Sequence, residues 1–516
     1  MNVPIDQFIR NDWTKFPPGM IIQSATPKVL EECYEKQLQN SKYQDFLQKT
    51  NATIFGTLDD HDMGCNNADS TFEYKTESAL AFLHFTGETY LSPVYQRAQL
   101  GYGVYGVKLF DFNSNHTNYL VPDMDAAIDP DILEDVDRYN DMTQGKDDHR
   151  RNYSNHSVAI FFLDVRTHRT PWGKGLKGWT PNYDGDFLGE RQWQWLEKAV
   201  LRSQASVNIF VQGLQVHPYR FPDANFAEVW AQFPRARQRL YDTILASENI
   251  KAPILVSGDV HMAQFMRKDC VKYDERYNPQ TPRKPFIEVT TSGMTHSWGT
   301  CFFSSERMHK SWKRFYYHFI SQTFMSLSHL LLPMPDLMRA DLSSVPSGNP
   351  QQQRRRKLYE NGGGEGSMQG KQYALGLNVG EFEFDWEDHT LTVRILGDKL
   401  NAPPLLSGTW TFEQLSAIEP LPGSLANVHL TEKYGRYQMD RFVEPGKYMC
   451  MNHRHPASIY HVLSGYLAMT LVMLLLSFGP YILLTWLIIR YGILNKKKEM
   501  MLQIRGANTP DNNQVP

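Results

Sequence analysis

Two short segments of the chain bring together carboxylate and imidazole side chains, which are common metal ligands in proteins. Residues 59–62 have the sequence DDHD, and residues 258–261 have the sequence GDVH. Carboxylates with imidazole suit iron, zinc or manganese, whereas carboxylates alone suit calcium or magnesium. Burying several unpaired charges is costly, so a bound cation would be their simplest partner. The alternative for residues 59–62 is an exposed acidic turn with a capping aspartate.

The elements that would position these two segments are strands that alternate with helices. Apolar runs at 53–58 and 254–256 come just before them and predict buried strands. Further strands are predicted at 158–163, 207–211 and 286–290, and they alternate with helices predicted at 189–203 and 234–248. Because such strands present polar groups at one edge of a sheet, we expect the two segments to share a site. Two metal ions held there would clamp a phosphoryl group and generate hydroxide.

Five ordered motifs resemble those of the PhoD-like phosphatases, in the calcineurin-like metallophosphoesterase superfamily. Residues 57–67 (TLDDHDMGCNN) are similar to WDDHDYGxN, although Leu58 stands where that family usually has Trp. The others are 163–169 (LDVRTHR, similar to LDxRxxR), 188–196 (LGERQWQWL, similar to LGxxQxxWL), 257–261 (SGDVH, similar to SGDxH) and 291–296 (TSGMTH).

This resemblance implies an α/β fold in which a calcineurin-like β-sandwich is flanked by helices and carries a metal cluster at one edge. It implies a hydrolase like alkaline phosphatase D, which cleaves phosphate monoesters and diesters with iron and calcium. By position, the implied metal ligands are Asp59, Asp60, Asp259 and His261. The implied catalytic residues are His61, which faces the leaving group, and Asp62, which orients His61 or serves as a ligand.

Arg166, Gln215 and His217 are candidate substrate-binding residues near the expected site. Arg166 and Arg169 either bind the substrate phosphate in a bidentate manner or form internal ion pairs with Asp164. His217 has a structural alternative, since a lone histidine is more often part of a core than of a site.

The resemblance also implies two motifs before Asp59 that the chain does not show. One is a small-residue/Cys motif with the first metal ligands, and the other is GDxxY, whose Asp bridges the two metals. Asp6, Asp12 and Asp45 lie in other contexts. We therefore expect an incomplete cluster, either in an inactive isoform or because the N-terminal start is missing. Residues 1–30 also contain no signal peptide, and a missing start would account for both absences.

A membrane anchor is predicted near the C-terminus. Residues 462–489 contain no charged side chain, and a spanning helix needs about 20 apolar residues. We predict a transmembrane helix at 460–491, tilted or kinked at Pro480, with a cytosolic tail at 492–516 because the basic residues follow the span. The preceding residues would be lumenal or extracellular. Sequons for N-glycosylation agree with this and lie at Asn51, Asn115, Asn152 and Asn155. The alternative is a cytosolic, tail-anchored protein with fortuitous sequons.

The remaining chain predicts one large domain with insertions. We expect an irregular or helical segment at 1–49, with a helix over 28–49, then the metallophosphatase domain at 50–414 and a juxtamembrane stalk at 415–459. Insertions interrupt the domain at 122–151 and 299–372, and a late hairpin at 381–396 closes a sheet. The net charge of −3 argues against nucleic-acid binding and leaves a phosphate-ester substrate and the lipid bilayer as partners. Five cysteines permit up to two disulfides, whose pairing stays open.

Overall fold

The computed structural model describes most of the chain and divides it into two compact units. The described residues are 25–50, 52–113, 120–121, 125, 128, 155–172, 181–218, 228–272, 284–294, 297–298, 312–332, 336–338, 372–416, 446–452 and 459–507. The first unit comprises Met1–Ser304 and Met334–Ala457, and the second comprises Ser305–Pro333 and Ser458–Pro516.

The first unit contains helices and strands in alternation. Its helices are α1 (Pro27–Leu38), α2 (Ser41–Thr50), α3 (Asp60–Met63), α4 (Lys75–Thr86), α5 (Pro93–Gln99), α6 (Gly189–Arg202), α7 (Pro234–Leu245) and α9 (Phe412–Ser416), with a 3₁₀ turn at Trp230–Gln232. Its strands are β1 (Gly106–Asp111), β2 (Leu120–Val121), β3 (Ser157–Leu163), β4 (Val207–Gln212), β5 (Pro253–Ser257), β6 (Ala263–Lys272), β7 (Lys284–Thr291), β8 (Tyr373–Ala374), β9 (Val379–Asp385), β10 (Thr390–Leu396), β11 (Leu406–Thr411) and β12 (Tyr448–Asn452).

A large mixed sheet forms the centre of this unit. Its strand order is β12-β6-β7-β5-β4-β3-β1-β2, with β8 also paired to β6. Strands β3, β4, β5 and β7 pair in parallel, and β1, β6 and β12 pair antiparallel at the two sides. Strand β3 (SVAIFFL) is almost continuously apolar and buried, as expected of a parallel strand that is covered on both faces. The carboxyl ends of the parallel strands therefore meet at one edge.

The large sheet is covered by helices on one face and by a second sheet on the other. On the helix side, Trp193 of α6 and Leu240 of α7 share one apolar core with Phe161 and Phe210. Strands β9, β10 and β11 form a three-stranded antiparallel sheet, whose Leu391 packs with residues of the large sheet in a second core. These layers confirm the predicted mixed α/β fold with a large sheet and flanking helices.

Three predictions about local structure are wrong. Residues 53–58 form no strand: this segment lies outside the sheet and is mostly half-buried, and Leu58 is its one fully buried residue, in one core with Met63 of α3. The helix predicted over 28–49 is two helices, α1 and α2. The predicted stalk at 415–459 contains β12, which pairs with β6 so that Cys450 lies opposite Cys270, and these two residues form a disulfide.

The second unit consists of α8 (Trp312–Leu331) and the long α10 (Ile459–Ala507). The two helices approach closely, because a Cβ atom on Gly465 of α10 would lie 2.6 Å from the carbonyl oxygen of Leu331. Among the described helices, none is by itself long and apolar enough to span a membrane. The segments Leu463–Leu476 and Tyr481–Leu502 meet these requirements together, across a bend of 44° that includes Pro480. The single transmembrane helix predicted at 460–491 is not confirmed, although the bend lies at the kink predicted at Pro480.

Candidate metal centre

Three carboxylates from distant parts of the chain meet at the edge where β3, β4 and β5 end. Asp59, Asp60 and Asp259 each offer an oxygen atom that lies within 4.8 Å of the other two. Asp59 and Asp60 stand at the start of α3, and Asp259 follows β5. The two segments singled out in the sequence therefore do form one site.

Backbone donors orient the carboxylates at the start of α3. The Oδ1 atom of Asp60 accepts a hydrogen bond from the His61 amide at 2.8 Å, and its Oδ2 atom accepts one from the Asn67 amide at 2.9 Å. Asp62 faces the other way: it accepts from the Asp59 amide at 3.1 Å and from the Tyr34 hydroxyl at 3.2 Å. Asp62 thus closes the first turn of α3 and is not part of the three-carboxylate group, so it is not placed as a ligand there.

A close approach of the backbone positions Asp59 against the end of β4. A Cβ atom on Gly213 would lie 2.6 Å from the Oδ1 atom of Asp59, so only glycine leaves room for this carboxylate. The Gly258 amide donates to the Gly213 carbonyl at 2.9 Å, which joins the loops after β4 and β5.

The loop after β5 has a strained backbone. Asp259 and His261 have φ angles of +63° and +52°, in the left-handed region that side chains other than glycine rarely adopt. Such conformations cost of order 1–3 kcal/mol each and often occur at functional sites. His261 donates its amide to the Ser292 Oγ atom at 3.1 Å. In the described part of the chain, the group of potential ligands at this centre does not include the His261 imidazole.

Arg166 extends its guanidinium group into the carboxylates. Its Nε atom donates to the Asp59 Oδ1 atom at 2.6 Å, and its Nη2 atom lies 3.4 Å from the Asp259 Oδ1 atom. Its Nη1 atom pairs with Glu228. The side chain is completely buried, so each nitrogen faces a carboxylate and none is presented to a substrate. Arg166 therefore forms internal ion pairs, as the structural alternative described, but not with the partner that it named.

Asp164 is not the partner of that ion pair. Its carboxylate accepts from the amides of Val104, Arg166 and Thr167 at 2.8–2.9 Å, and it shapes the turn after β3. It positions the Arg166 backbone rather than neutralising the Arg166 side chain.

Glu228 is the residue that the sequence motifs missed. It pairs with Arg166 and lies 3.3 Å from the Arg169 Nη2 atom, and it accepts a hydrogen bond from Trp172. Arg169 stacks over the Trp172 ring at 4.4 Å and donates to the Asn67 carbonyl at 2.6 Å. None of the five motifs contains Glu228. The one indication in the sequence is that Arg166 and Arg169, if buried, need an acidic partner.

The centre is short of positive charge even with Arg166 in place. Burial, together with the negative charges of Asp59 and Asp60, raises the pKa of Asp259 well above its usual range. Burial also raises the pKa of Asp59 to about 6, although Arg166 acts in the opposite direction. Asp60 is buried too, but Arg166, His61 and two amide donors hold its pKa below the usual value. Crowded carboxylates of this kind fit a hard cation, which prefers oxygen ligands.

Gln215 and His217 lie in the core. The Gln215 amide donates to Gln264 at 2.7 Å and to Thr290 at 2.8 Å. His217 is fully buried, with its ring nitrogens 3.2 Å from the Tyr241 hydroxyl and 2.9 Å from the Phe286 carbonyl. Burial lowers the pKa of His217 well below its usual value. These contacts support structural roles and not the predicted contact with substrate.

Of the predicted glycosylation sites, Asn155 is exposed just before β3. The other three, Asn51, Asn115 and Asn152, lie outside the described residues.

Comparisons with known proteins place part of the chain in a family context. Residues 137–316 match the family model described as PhoD-like phosphatase, which confirms the resemblance seen in the motifs. A solved structure described as "Structure of PhoD" is 20% identical over 28% of this chain and 28% of that chain, with a TM-score of 0.22. The chain therefore spans about a quarter of that structure's length. No curated protein matches the chain significantly.

Proposed function

We propose, from the PhoD-like phosphatase match at residues 137–316, that the chain is a membrane-anchored, metal-dependent phosphoesterase. The observation that carries this proposal is the convergence of Asp59, Asp60 and Asp259 at the carboxyl edge of the parallel strands. An all-carboxylate group favours a hard divalent cation such as calcium, magnesium or manganese, and iron is the further metal that the family suggests.

The residues around this centre have distinct tasks in such a reaction. A cation held by the three carboxylates would polarise a phosphate ester and lower the pKa of a water molecule. Asp60, fixed by two amide donors, keeps a carboxylate oxygen in place without reorganisation. His61 is half-buried next to Asp60 and is suited to donate a proton to the leaving group. The buried Arg166 contributes positive charge and holds Asp59 in position.

Several features support a lumenal or extracellular domain on a membrane anchor. The apolar side chains of α10 at 463–489 are mostly exposed, and the basic residues Lys496, Lys497 and Lys498 follow them. The Cys270–Cys450 disulfide favours an oxidising compartment, and the exposed Asn155 is accessible to a glycan. In this arrangement the bent α10 is the anchor.

Hydrolysis assays on the full chain in detergent micelles test the proposal. The protein is stripped with a chelator, reloaded separately with iron, calcium, magnesium or manganese, and given p-nitrophenyl phosphate and bis(p-nitrophenyl) phosphate. We expect hydrolysis only after reloading, and its loss in Asp259→Asn but not in Asp398→Asn, which alters an exposed carboxylate elsewhere. Equal activity in stripped and reloaded protein would exclude a metal-dependent enzyme.

A second candidate function is a catalytically inactive, membrane-bound binding protein of the same fold. The observation in its favour is that Arg166 already pairs with two of the three carboxylates, Asp59 and Asp259. This alternative predicts no hydrolysis with any metal, while a phosphate ester still protects the protein against thermal unfolding.

A further inference from the structure

Arg166 limits the number of metal ions that the centre can hold, because it contacts potential metal ligands. It contacts Asp59 and Asp259, which are two of the three potential ligands, and its side chain is completely buried. The ion pair between its Nη1 atom and Glu228 fixes the orientation of the guanidinium group. The guanidinium group is thus a built-in cation inside the carboxylate group.

The balance of formal charge leaves room for one divalent ion. Among the described residues, Glu228 is shared with Arg169, whose positive charge offsets it; Asp69 also lies 3.8 Å from the Arg169 Nη2 atom, but it is partly exposed to solvent, which screens its charge. Arg166 contacts Asp59 and Asp259, and its charge also acts on Asp60. In this group one guanidinium therefore stands against three carboxylates and leaves two negative charges. One divalent cation neutralises them, whereas two would leave an uncompensated positive excess, and burying such an excess is costly.

The number of available ligand atoms also favours a single metal ion. Calcium and magnesium take roughly six to eight oxygen ligands, part of which water or substrate can provide. Arg166 uses one oxygen of Asp59 and lies near one oxygen of Asp259, and both oxygens of Asp60 accept backbone hydrogen bonds. In the part of the chain that the structure describes, the remaining lone pairs on the three carboxylates provide ligands for a single ion with open positions.

We propose that this centre takes one divalent cation, on Asp59, Asp60 and Asp259, and that Arg166, oriented by Glu228, provides the positive charge that a second metal ion would supply. This inference rests on the proposed function and departs from the two-metal cluster that the resemblance implies. Arg166 is then a positioning and charge-bearing residue that repels the cation while holding its ligands.

Manganese binding to the full chain in detergent tests this inference. Chelator-treated protein is titrated with Mn²⁺, the bound ion is counted by elemental analysis, and its electron paramagnetic resonance spectrum is recorded. We expect one ion per chain with the spectrum of an isolated ion. Two ions per chain with a spin-coupled spectrum would overturn the inference and leave the proposed function intact. A folded chain that binds no Mn²⁺ would overturn both.

The Arg166→Gln variant separates a charge role from a purely structural one. Removing a positive charge beside the ion should tighten Mn²⁺ binding by roughly tenfold or more, because like charges a few ångströms apart repel each other strongly where the effective dielectric is low. Loss of mere scaffolding would weaken binding instead, and weaker or unchanged affinity would refute the charge role. Arg97→Gln is the matched control, because Arg97 is equally buried but pairs with Asp125.

The stoichiometry in the unaltered chain decides the question if Arg166→Gln does not fold. Hydrolysis is measured separately: one bound ion without hydrolysis would support the single-ion centre and refute the phosphoesterase.

Discussion

The Nε atom of Arg166 donates to the Oδ1 atom of Asp59 at 2.6 Å, although the two residues are 107 positions apart in the chain. This contact ties the turn after β3 to the start of α3. It also explains why the first acidic segment needs no strand to hold it at the sheet edge. The guanidinium anchors the segment from one side, and the close approach of Gly213 limits it from the other.

Replacing Glu228 should destabilise the protein strongly. In Glu228→Gln, Arg166 loses one of its carboxylate partners and the buried Arg169 loses the carboxylate that offsets its charge, and breaking a buried ion pair costs about 3–5 kcal/mol. Urea unfolding at neutral pH measures this loss. Glu197→Gln serves as the control, because Glu197 pairs with Arg239 at the surface, where such pairs contribute about 1 kcal/mol or less. Equal losses in the two variants would contradict the central role of Glu228.

Neutralising Asp259 should stabilise the metal-free protein while it removes metal binding. Burial and the charges of Asp59 and Asp60 raise the pKa of Asp259 well above its usual range, so its charged form is unfavourable in the folded state at neutral pH. Each unit of such a shift corresponds to about 1.4 kcal/mol. We expect Asp259→Asn to melt at a higher temperature than the unaltered chain without metal, and to gain nothing from added Mn²⁺. A lower melting temperature without metal would show that the Arg166 contact outweighs the repulsion.

The sequence motifs contained the three carboxylates that meet in the structure, but they did not predict all of the elements that carry them. Asp60 and Asp259 could be predicted because their chemistry lies in local residue types at strand and helix ends. The conformation of residues 53–58 could not be predicted, because a short apolar run has the same pattern in a strand and in an extended segment outside a sheet. Glu228 and β12 depend on partners far along the chain, Arg166 and β6 respectively, and no local pattern encodes such pairing.

Glu288 should make the stability of the protein depend on pH. Burial raises its pKa to about 7, although amide donors from Val216 and His217 act in the opposite direction. The folded state therefore binds a proton that the unfolded state releases near the ordinary value of 4.5, so stability falls as pH rises between about 4.5 and 7. The slope attributable to this group is at most about 1.4 kcal/mol per pH unit.

Unfolding in urea across this pH range, for the unaltered chain and for Glu288→Gln, measures that slope. We expect the variant to lack the decline that Glu288 causes, whatever its absolute stability. Parallel curves for the two proteins would show that Glu288 does not titrate in this window.

The Cys270–Cys450 disulfide offers a test of the proposed lumenal or extracellular location of the first unit. Peptide mapping under non-reducing conditions, after alkylation of protein from intact membranes, should recover the two cysteines joined and Cys33 and Cys65 alkylated. Because the bridge joins residues 180 positions apart, we expect Cys450→Ala to lose roughly 2–5 kcal/mol of stability.

A glycan at Asn155, seen as a mobility shift that Asn155→Gln removes, would place β3 and its neighbours in the lumen or outside the cell. Alkylation of both Cys270 and Cys450 together with an unmodified Asn155 would instead favour the cytosolic, tail-anchored arrangement.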